Sequence, residues 1–270
     1  MTATTIPAGQ ILARRPGLLQ GTREALTLTW RSLLKIRTNS EDLVGLSLQP
    51  IMFLLLFTYV FGGAIAHGSV HRYLQYVLPG ILVQTVVFAT LGTGLMLNQD
   101  ISAGVFDRFR SLPIARSAPL AGAILGDVSR YVISVVVTLG FGIVLGFRVT
   151  TNPLAAVAGC ALVLAFALAM CWVSALIGLL AKTPQGVQIF GFTAMFPIVF
   201  ASGILVPIQT MPGWLQAFAR WNPMTLLSQA CRGLMTGGPV AVPAGKSLLW
   251  ALAILAVFAP LAVRAYRHRS

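Results

Sequence analysis

The chain has 270 residues, of which 57% are hydrophobic and 9% are charged, and its mean hydropathy is +0.84. Water-soluble domains carry roughly 25% charged residues, so this composition excludes a soluble globular protein and indicates a membrane protein with several spans. The formal net charge of +13 would suggest a nucleic-acid partner in a soluble chain. Here the arginines lie between apolar runs, as orientation signals and headgroup contacts do, and we expect no nucleic-acid partner.

Two segments precede the apolar part of the chain. Residues 1–17 are polar and lack the apolar core of a cleavable signal peptide, so we predict a cytoplasmic tail. Residues 18–39 place Trp30 and Leu33 on one helical face and Arg31 on another. This pattern predicts an amphipathic helix that lies flat in the headgroup region, although an ordinary helix of a small cytoplasmic domain is the alternative.

Residues 40–270 form the predicted transmembrane domain. Six apolar stretches in it are close to the ~20 residues that a helix needs to cross a bilayer. The predicted spans are residues 44–61, 77–97, 120–147, 154–180, 185–206 and 247–263. We therefore predict an all-α polytopic membrane protein with six transmembrane helices. Thr183 and Pro184 are typical of the cap and first turn of a helix, and they are predicted to begin the fifth span.

Two short amphipathic pieces lie between the fifth and sixth spans, at residues 213–221 and 224–235. Each is too short to cross a bilayer, and the aromatic residues favour a membrane interface. We predict short re-entrant helices on the outer side, with a plain surface loop as the alternative. The aromatic and helix-breaking residues concerned are Trp214, Phe218, Trp221, Asn222 and Pro223.

The positive charges predict the orientation. Placing the N-terminus in the cytoplasm puts thirteen Lys and Arg residues inside and five outside, with Arg130 in or near the membrane. Because cytoplasmic loops are enriched in these residues, both termini are predicted to be cytoplasmic. The loop between spans two and three then also faces the cytoplasm, where a soluble partner can reach it.

That loop contains a charged island, residues 98–119, between long apolar runs. Its core reads GVFDRFRSLPI, in which Gly104 permits a break, the next residues alternate apolar and charged side chains, and Pro113 ends the short helix. The stretch Gly104–Pro113 resembles the cytoplasmic coupling segment of ABC exporter permeases of the daunorubicin-resistance type. The resemblance extends to LPGIL at 78–82, MPGWLQAF at 211–218 and RGLM at 232–235.

The resemblance implies a division of labour between subunits. Two permease subunits, as a homodimer or with a close paralogue, would form the path, and two copies of a separate ATPase, using ATP and magnesium, would bind beneath them. The segment would then be a coupling helix that enters a cleft of the ATPase. Its polar contacts would be Asp107, Arg108 and Arg110, its apolar anchors Phe106, Phe109 and Leu112, and its limits Gly104 and Pro113.

The sequence offers few motifs for catalysis or for binding a cofactor. The sequence contains no GxxxxGK[ST] phosphate loop, no HExxH and no GxSxG motif, so we expect neither an enzyme nor a bound cofactor or metal.

An ion-driven carrier would need intramembrane carboxylates, and the only acidic residue well inside a predicted span is Asp127. Arg130 lies three residues away, so the two are predicted to form an ion pair or, alternatively, part of the transport path.

The expected substrate is a hydrophobic or amphipathic molecule taken from the membrane, because the spans carry Phe, Met, Leu and small residues. The resemblance implies export of drugs or antibiotics across the cytoplasmic membrane of a bacterium. Export of a lipid or glycolipid is the alternative, and a self-contained ion-driven carrier is a weaker one.

Overall fold

The computed structural model describes residues 40–65, 69–103 and 118–269. All regular elements in these ranges are helical, which confirms the predicted all-α class. The tail at 1–17 and the amphipathic helix predicted at 18–39 lie outside the described residues. The helices are α1 (Ser40–Leu56), α2 (Gly62–Ile65), α3 (Val70–Ser102), α4 (Ala118–Val144), α5 (Pro153–Leu180), α6 (Pro184–Phe200), α7 (Gly213–Trp221), α8 (Pro223–Thr236) and α9 (Ala241–Arg269).

Several of these helices are suited to a bilayer. Among the described residues, four stretches are long and apolar enough to cross a membrane: all of α3 and α5, Asp127–Val144 of α4 and Ala241–Tyr266 of α9. Shorter apolar stretches, Ser47–Phe61 and Pro184–Phe200, lie where the first and fifth spans are predicted. The chain is therefore a multi-pass membrane protein, and the number of six spans stays a prediction.

Helix α3 lies at the centre of the bundle and packs against α4, α5, α6 and α8. Its 33 residues reach beyond both ends of the predicted span, 77–97. At a rise of about 1.5 Å per residue the helix is about 50 Å long, which exceeds the hydrocarbon core. Hydropathy marks only the apolar interior of such a helix, whereas Ser69 caps it further out by accepting a hydrogen bond from the Arg72 N–H at 3.3 Å.

The first helical segment runs without a break through α1, a π-helical turn at Phe57–Phe61 and α2. Pro50 lies inside α1 and does not end it. Three aromatic rings follow one face of the segment: Phe53 stacks on Phe57 at 5.8 Å between centroids, and Phe57 stacks on Phe61 at 5.3 Å. The π turn shifts the face that the following residues present, because it adds a residue to one turn.

The turns between α4, α5 and α6 follow local sequence signals. Helix α4 ends at Val144, short of the predicted 147, because Gly146 adopts a φ of 102° that turns the chain. Asn152 then caps α5, ahead of Pro153. The helix cap that the sequence predicts at Thr183 is present, since the Thr183 side chain accepts a hydrogen bond from the Gly186 N–H at 3.1 Å.

The helix at the predicted fifth span, 185–206, ends earlier than the sequence predicts. Helix α6 ends at Phe200, and the following residues form turns. Side chains of other helices bind the backbone there: the Thr225 hydroxyl accepts from the Gly203 N–H at 2.9 Å, and the Tyr76 hydroxyl donates to the Gly203 carbonyl at 2.9 Å. The turns are buried against α3 and α8, so an apolar sequence there reflects packing rather than continued helix.

Two short helices and one long helix complete the chain. Helix α7 has the bounds that the sequence predicts, and α8 begins at Pro223. Helix α9 begins at Ala241, before the predicted 247, and packs against α5 and α8. Its buried residues are small, Ser247, Ala251 and Ala262, and many of its large side chains, such as Leu249 and Leu252, are exposed.

Candidate coupling site and transport path

The predicted coupling segment, Gly104–Pro113, lies outside the described residues, but the structure describes both of its flanks. Helix α3 ends at Ser102, whose hydroxyl donates to the Asn98 carbonyl at 2.8 Å. Helix α4 begins at Ala118. Any displacement of the segment would therefore act on the end of α3 and the start of α4. The segment's predicted contact residues are Phe106, Asp107, Arg108, Phe109, Arg110 and Leu112.

Asn98 links the end of α3 to the end of α5. Its side chain is 1% exposed, and its Nδ2 donates to the carbonyl of Gly178 at 2.9 Å and to that of Ala181 at 2.8 Å. Carbonyls in the last turn of a helix have no partner within the helix, so a side chain from a neighbour satisfies them. The Asn98 amide therefore joins the end of α3, which precedes the predicted coupling segment in the chain, to the turn between α5 and α6.

Helices α3 and α5 cross at very close range one turn above this amide. A methyl group on Gly94 would collide with the Ser174 carbonyl of α5, and one on Gly178 would collide with the Gly94 carbonyl. Small residues allow helix backbones to approach in a membrane, where dispersion forces rather than hydrophobic burial drive the packing. The two glycines therefore fix the distance between α3 and α5.

A cluster of buried hydroxyl and thiol groups lies between α3, α4 and α5. The Tyr131 hydroxyl is 2.6 Å from Thr93 Oγ1 and 3.0 Å from Cys171 Sγ, and Thr90 Oγ1 is 3.1 Å from Ser174 Oγ. Polar side chains of this kind bind one another across membrane helices, because hydrocarbon offers no other partner. The cluster holds three helices together along the middle of the bundle.

Asp127 and Arg130 lie on one side of α4, as their spacing predicts, and Arg130 Nη1 is 3.7 Å from Asp127 Oδ1. The aspartate side chain is 10% exposed and the arginine side chain 20%. Arg130 Nη1 also lies 3.0 Å from the Met96 sulfur of α3. The two charges are therefore placed to neutralise each other where α4 faces α3.

Asn222 and Pro223 connect α7 to α8. The Asn222 Oδ1 accepts from the Met224 N–H at 2.9 Å, and its Nδ2 donates to the carbonyl of Ile198, in the last turn of α6, at 2.6 Å. One side chain thus caps the start of α8 and the end of α6. The pair that the sequence marks as a helix break also holds α7 and α8 against α6.

The aromatic residues of α7 face outward. Trp214 is 75% exposed, Phe218 49% and Trp221 73%, whereas Ala219 on the opposite face is buried. The Lys246 ammonium lies 5.8 Å from the centre of the Trp221 ring. An exposed aromatic face beside a lysine is typical of a membrane interface.

Arg232 holds α8 against α3 near the start of α3. Its guanidinium carbon lies 3.7 Å above the centre of the Tyr76 ring, and its Nε donates to the Tyr76 carbonyl at 3.0 Å. Burial lowers the pKa of the Arg232 guanidinium from its ordinary value, and the neighbouring Tyr76 opposes that shift. The contact combines a cation–π interaction with a hydrogen bond to the backbone.

Comparison with known proteins identifies the architecture. Residues 23–236 match the family of ABC-2 type transporters. The chain belongs to the ABC-2 type transporter family. The match covers the predicted coupling segment and every described helix from α1 to α8.

Curated relatives agree with this ABC-2 assignment over nearly the full length. The chain is 40% identical over 267 residues to the daunorubicin resistance ABC transporter permease protein DrrB1 of Streptomyces coeruleorubidus, which covers 99% of this chain and 93% of that relative. It is 30% identical over 264 residues, 95% of this chain and 94% of the relative, to the probable doxorubicin resistance ABC transporter permease protein DrrC of Mycobacterium tuberculosis. It is also 29% identical over 216 residues, 78% of this chain and 74% of the relative, to the putative transport permease ycf38 of Cyanophora paradoxa.

Sequence reasoning missed several residues that hold this ABC-2 bundle together. Asn98, Thr93 and Tyr131 are polar residues in or beside apolar runs, and Gly94 is a small one. Such residues in a membrane helix are a signal of helix contact. The signal would have identified them as buried, but it does not say which helix each one meets.

Proposed function

We propose that this chain is the membrane-spanning subunit of an ATP-driven exporter that moves hydrophobic or amphipathic drugs out of the cell. The observation that carries the proposal is the 40% identity, over nearly the whole length of both chains, to a permease named for daunorubicin resistance. Because the sequence has no phosphate loop, the ATP and magnesium are bound by a separate ATPase subunit. The complex contains two ATPase copies and a second permease, either another copy of this chain or a close paralogue.

The proposed topology has six spans in the bacterial cytoplasmic membrane, with both termini inside. The two shorter apolar stretches, Ser47–Phe61 and Pro184–Phe200, serve as spans one and five. The excess of thirteen against five Lys and Arg residues supports this orientation. Helices α7 and α8 then lie on the outer side as re-entrant elements between spans five and six.

Within this topology, Gly104–Pro113 is the coupling segment. Its attachment to α3 supports that role, since the Asn98 amide holds the end of α3 to the Gly178 and Ala181 carbonyls. Closure of the ATPase would push the segment, displace the end of α3 and carry the α5–α6 turn with it. A movement of the coupling segment would thus be transmitted to α3, α5 and α6 through direct contacts.

We expect Arg108→Glu to abolish export while the protein stays inserted, because the reversed charge removes the polar contact with the ATPase. The measurement is daunorubicin efflux from cells that contain this chain and its ATPase, with a variant of the ATPase that cannot hydrolyse ATP as reference. Efflux at the level of that reference, with normal amounts of chain in the membrane, is the expected result.

Arg264→Glu is the matched control, because it makes the same substitution at an exposed arginine of α9 that the topology also places inside, but not on the α5–α6 turn. It should leave efflux unchanged. Normal efflux by Arg108→Glu would refute the coupling assignment. Efflux that persists without a functional ATPase would refute the exporter function itself.

A further inference from the structure

A cavity of about 60 Å³ lies between α1, α3 and α4, and no residue of α7 or α8 lines it. Gln49 and Phe53 contribute from α1, Gln84 and Phe88 from α3, and Ser134 from α4. Helix α3 is a predicted span, so the cavity lies at membrane depth. None of the described residues that line it is ionisable.

Two buried polar atoms of this cavity have no hydrogen-bond partner among the described residues: Gln84 Oε1 and Ser134 Oγ. The Gln84 residue is 2% exposed and Ser134 is fully buried. An unpaired polar group in hydrocarbon is costly, and buried polar groups in proteins are as a rule hydrogen-bonded. Two such groups on the wall of one cavity therefore indicate a place where a ligand supplies the missing partners.

Aromatic rings lead to the cavity from the surface of α6. Phe88 of the cavity wall stacks on Phe192 at 5.6 Å, Phe192 contacts Phe196 at 5.3 Å, and Phe196 stacks on Phe200 at 4.2 Å. Phe192 and Phe196 are 49% and 41% exposed. A flat aromatic molecule dissolved in the bilayer can stack on these rings and move along them.

We propose that the cavity binds the polar edge of a flat aromatic molecule that carries hydroxyl or other neutral hydrogen-bond donors, with the rest of the molecule against Phe88 and Phe192. Gln84 Oε1 only accepts hydrogen bonds, so it selects a donor, and the Ser134 hydroxyl can either donate or accept. The small volume admits one edge of such a molecule. The inference rests on the proposed export function, because it assigns the substrate class and a binding subsite to the same path.

The test is daunorubicin binding to the purified chain in lipid nanodiscs, measured by the fluorescence of the compound. Gln84→Leu and Ser134→Ala each remove one unpartnered polar atom, and we expect daunorubicin affinity to fall at least tenfold for Gln84→Leu and a few-fold for Ser134→Ala. The melting temperature of both variants should stay the same or rise, because a group without a partner in the chain contributes nothing to the fold. A purely structural role would lower the melting temperature instead.

Thr58→Val is the matched control. Thr58 is 2% exposed, and its Oγ1 also has no partner among the described residues, but the residue does not line the cavity. Its variant should keep the melting temperature and bind daunorubicin as the wild type does. An equal loss of affinity in this control would show that the effect is not specific to the cavity and would overturn the inference.

The outcomes separate this inference from the function on which it rests. Wild-type chain that does not bind daunorubicin, or Gln84→Leu and Ser134→Ala variants that bind it normally, would overturn the subsite even where ATP-dependent export is observed. Binding that depends on Gln84, in a chain whose cells export nothing with a functional ATPase, would support the subsite and contradict the exporter function.

Discussion

Helices α3 and α9 have similar mean hydropathy in their most apolar 18 residues, 1.8 and 2.1, but 67% of that stretch is buried in α3 and 6% in α9. Both satisfy the length and composition of a membrane span. Their surroundings are opposite, since α3 is surrounded by other helices of the bundle and α9 contacts α5 and α8 along one narrow face. Hydropathy thus indicates that a helix can enter the membrane, but not whether its sides contact other helices of the protein.

The side chains of the two helices account for the difference. Helix α3 carries Gly80, Gly94 and Asn98 at buried positions, where backbone approach or a hydrogen bond to another helix requires them. Helix α9 presents large apolar residues outward, among them Leu249 at 68% and Leu252 at 64% exposure. Small and polar residues therefore mark the helix that packs inside the bundle, and uniform apolar residues mark the one whose sides are left exposed by the bundle.

The largest effect is expected from Gly94→Leu in α3. The new side chain would collide with the Ser174 carbonyl, and backbone atoms on both sides leave no room to adjust. We expect a loss of ~4 kcal/mol or more in the free energy of unfolding, seen as little folded protein after membrane extraction. Ala253→Leu in α9, at an exposed position, is the control and should be folded normally. Equal yields of both variants would contradict the tight crossing of α3 and α5.

A smaller effect is expected from the ion pair that faces α3. Asp127→Arg would place a second positive charge beside Arg130, whose Nη1 now lies 3.7 Å from the Asp127 carboxylate. The side chains of both Asp127 and Arg130 are mostly buried. We expect a loss of about 2–3 kcal/mol, measured by thermal melting in detergent. The exchanged variant, Asp127→Arg with Arg130→Asp, should recover more than half of the loss. An exchanged variant no more stable than either single reversal would show that the two charges do not stabilise each other.

Much of the fold could be predicted from the sequence. Apolar runs gave the position of every long helix, and Pro, Asn and Thr gave the start of α5, α6 and α8, because caps and first-turn prolines act through neighbouring backbone atoms. The end of α6 at Phe200 could not be predicted. It depends on Tyr76 and Thr225, which are distant in sequence and bind the backbone of Gly203.

The candidate site likewise has one part that could be predicted from the sequence and one part that could not. The DRFRSLP stretch could be predicted to lie in water between two spans, because its charges cannot remain in hydrocarbon. The cavity at Gln84 and Ser134 could not be predicted, since its lining comes from α1, α3 and α4 and its aromatic approach from α6. Sequence spacing describes one helix at a time, whereas a binding cavity in a bundle is a property of how helices are packed.

The smallest effect on stability, and the most informative for function, is expected from Asn98→Leu. The change removes the hydrogen bonds to the Gly178 and Ala181 carbonyls. Interhelical hydrogen bonds in membranes contribute modestly, so we expect a loss of about 1–2 kcal/mol in thermal melting. Gln99→Leu, at the exposed neighbouring position, should be near neutral. If α3 transmits the motion of the coupling segment through this amide, Asn98→Leu will bind the ATPase normally and lose more export than the small loss of stability explains. Normal export by a folded Asn98→Leu protein would mean that α5 follows α3 through the glycine crossing alone.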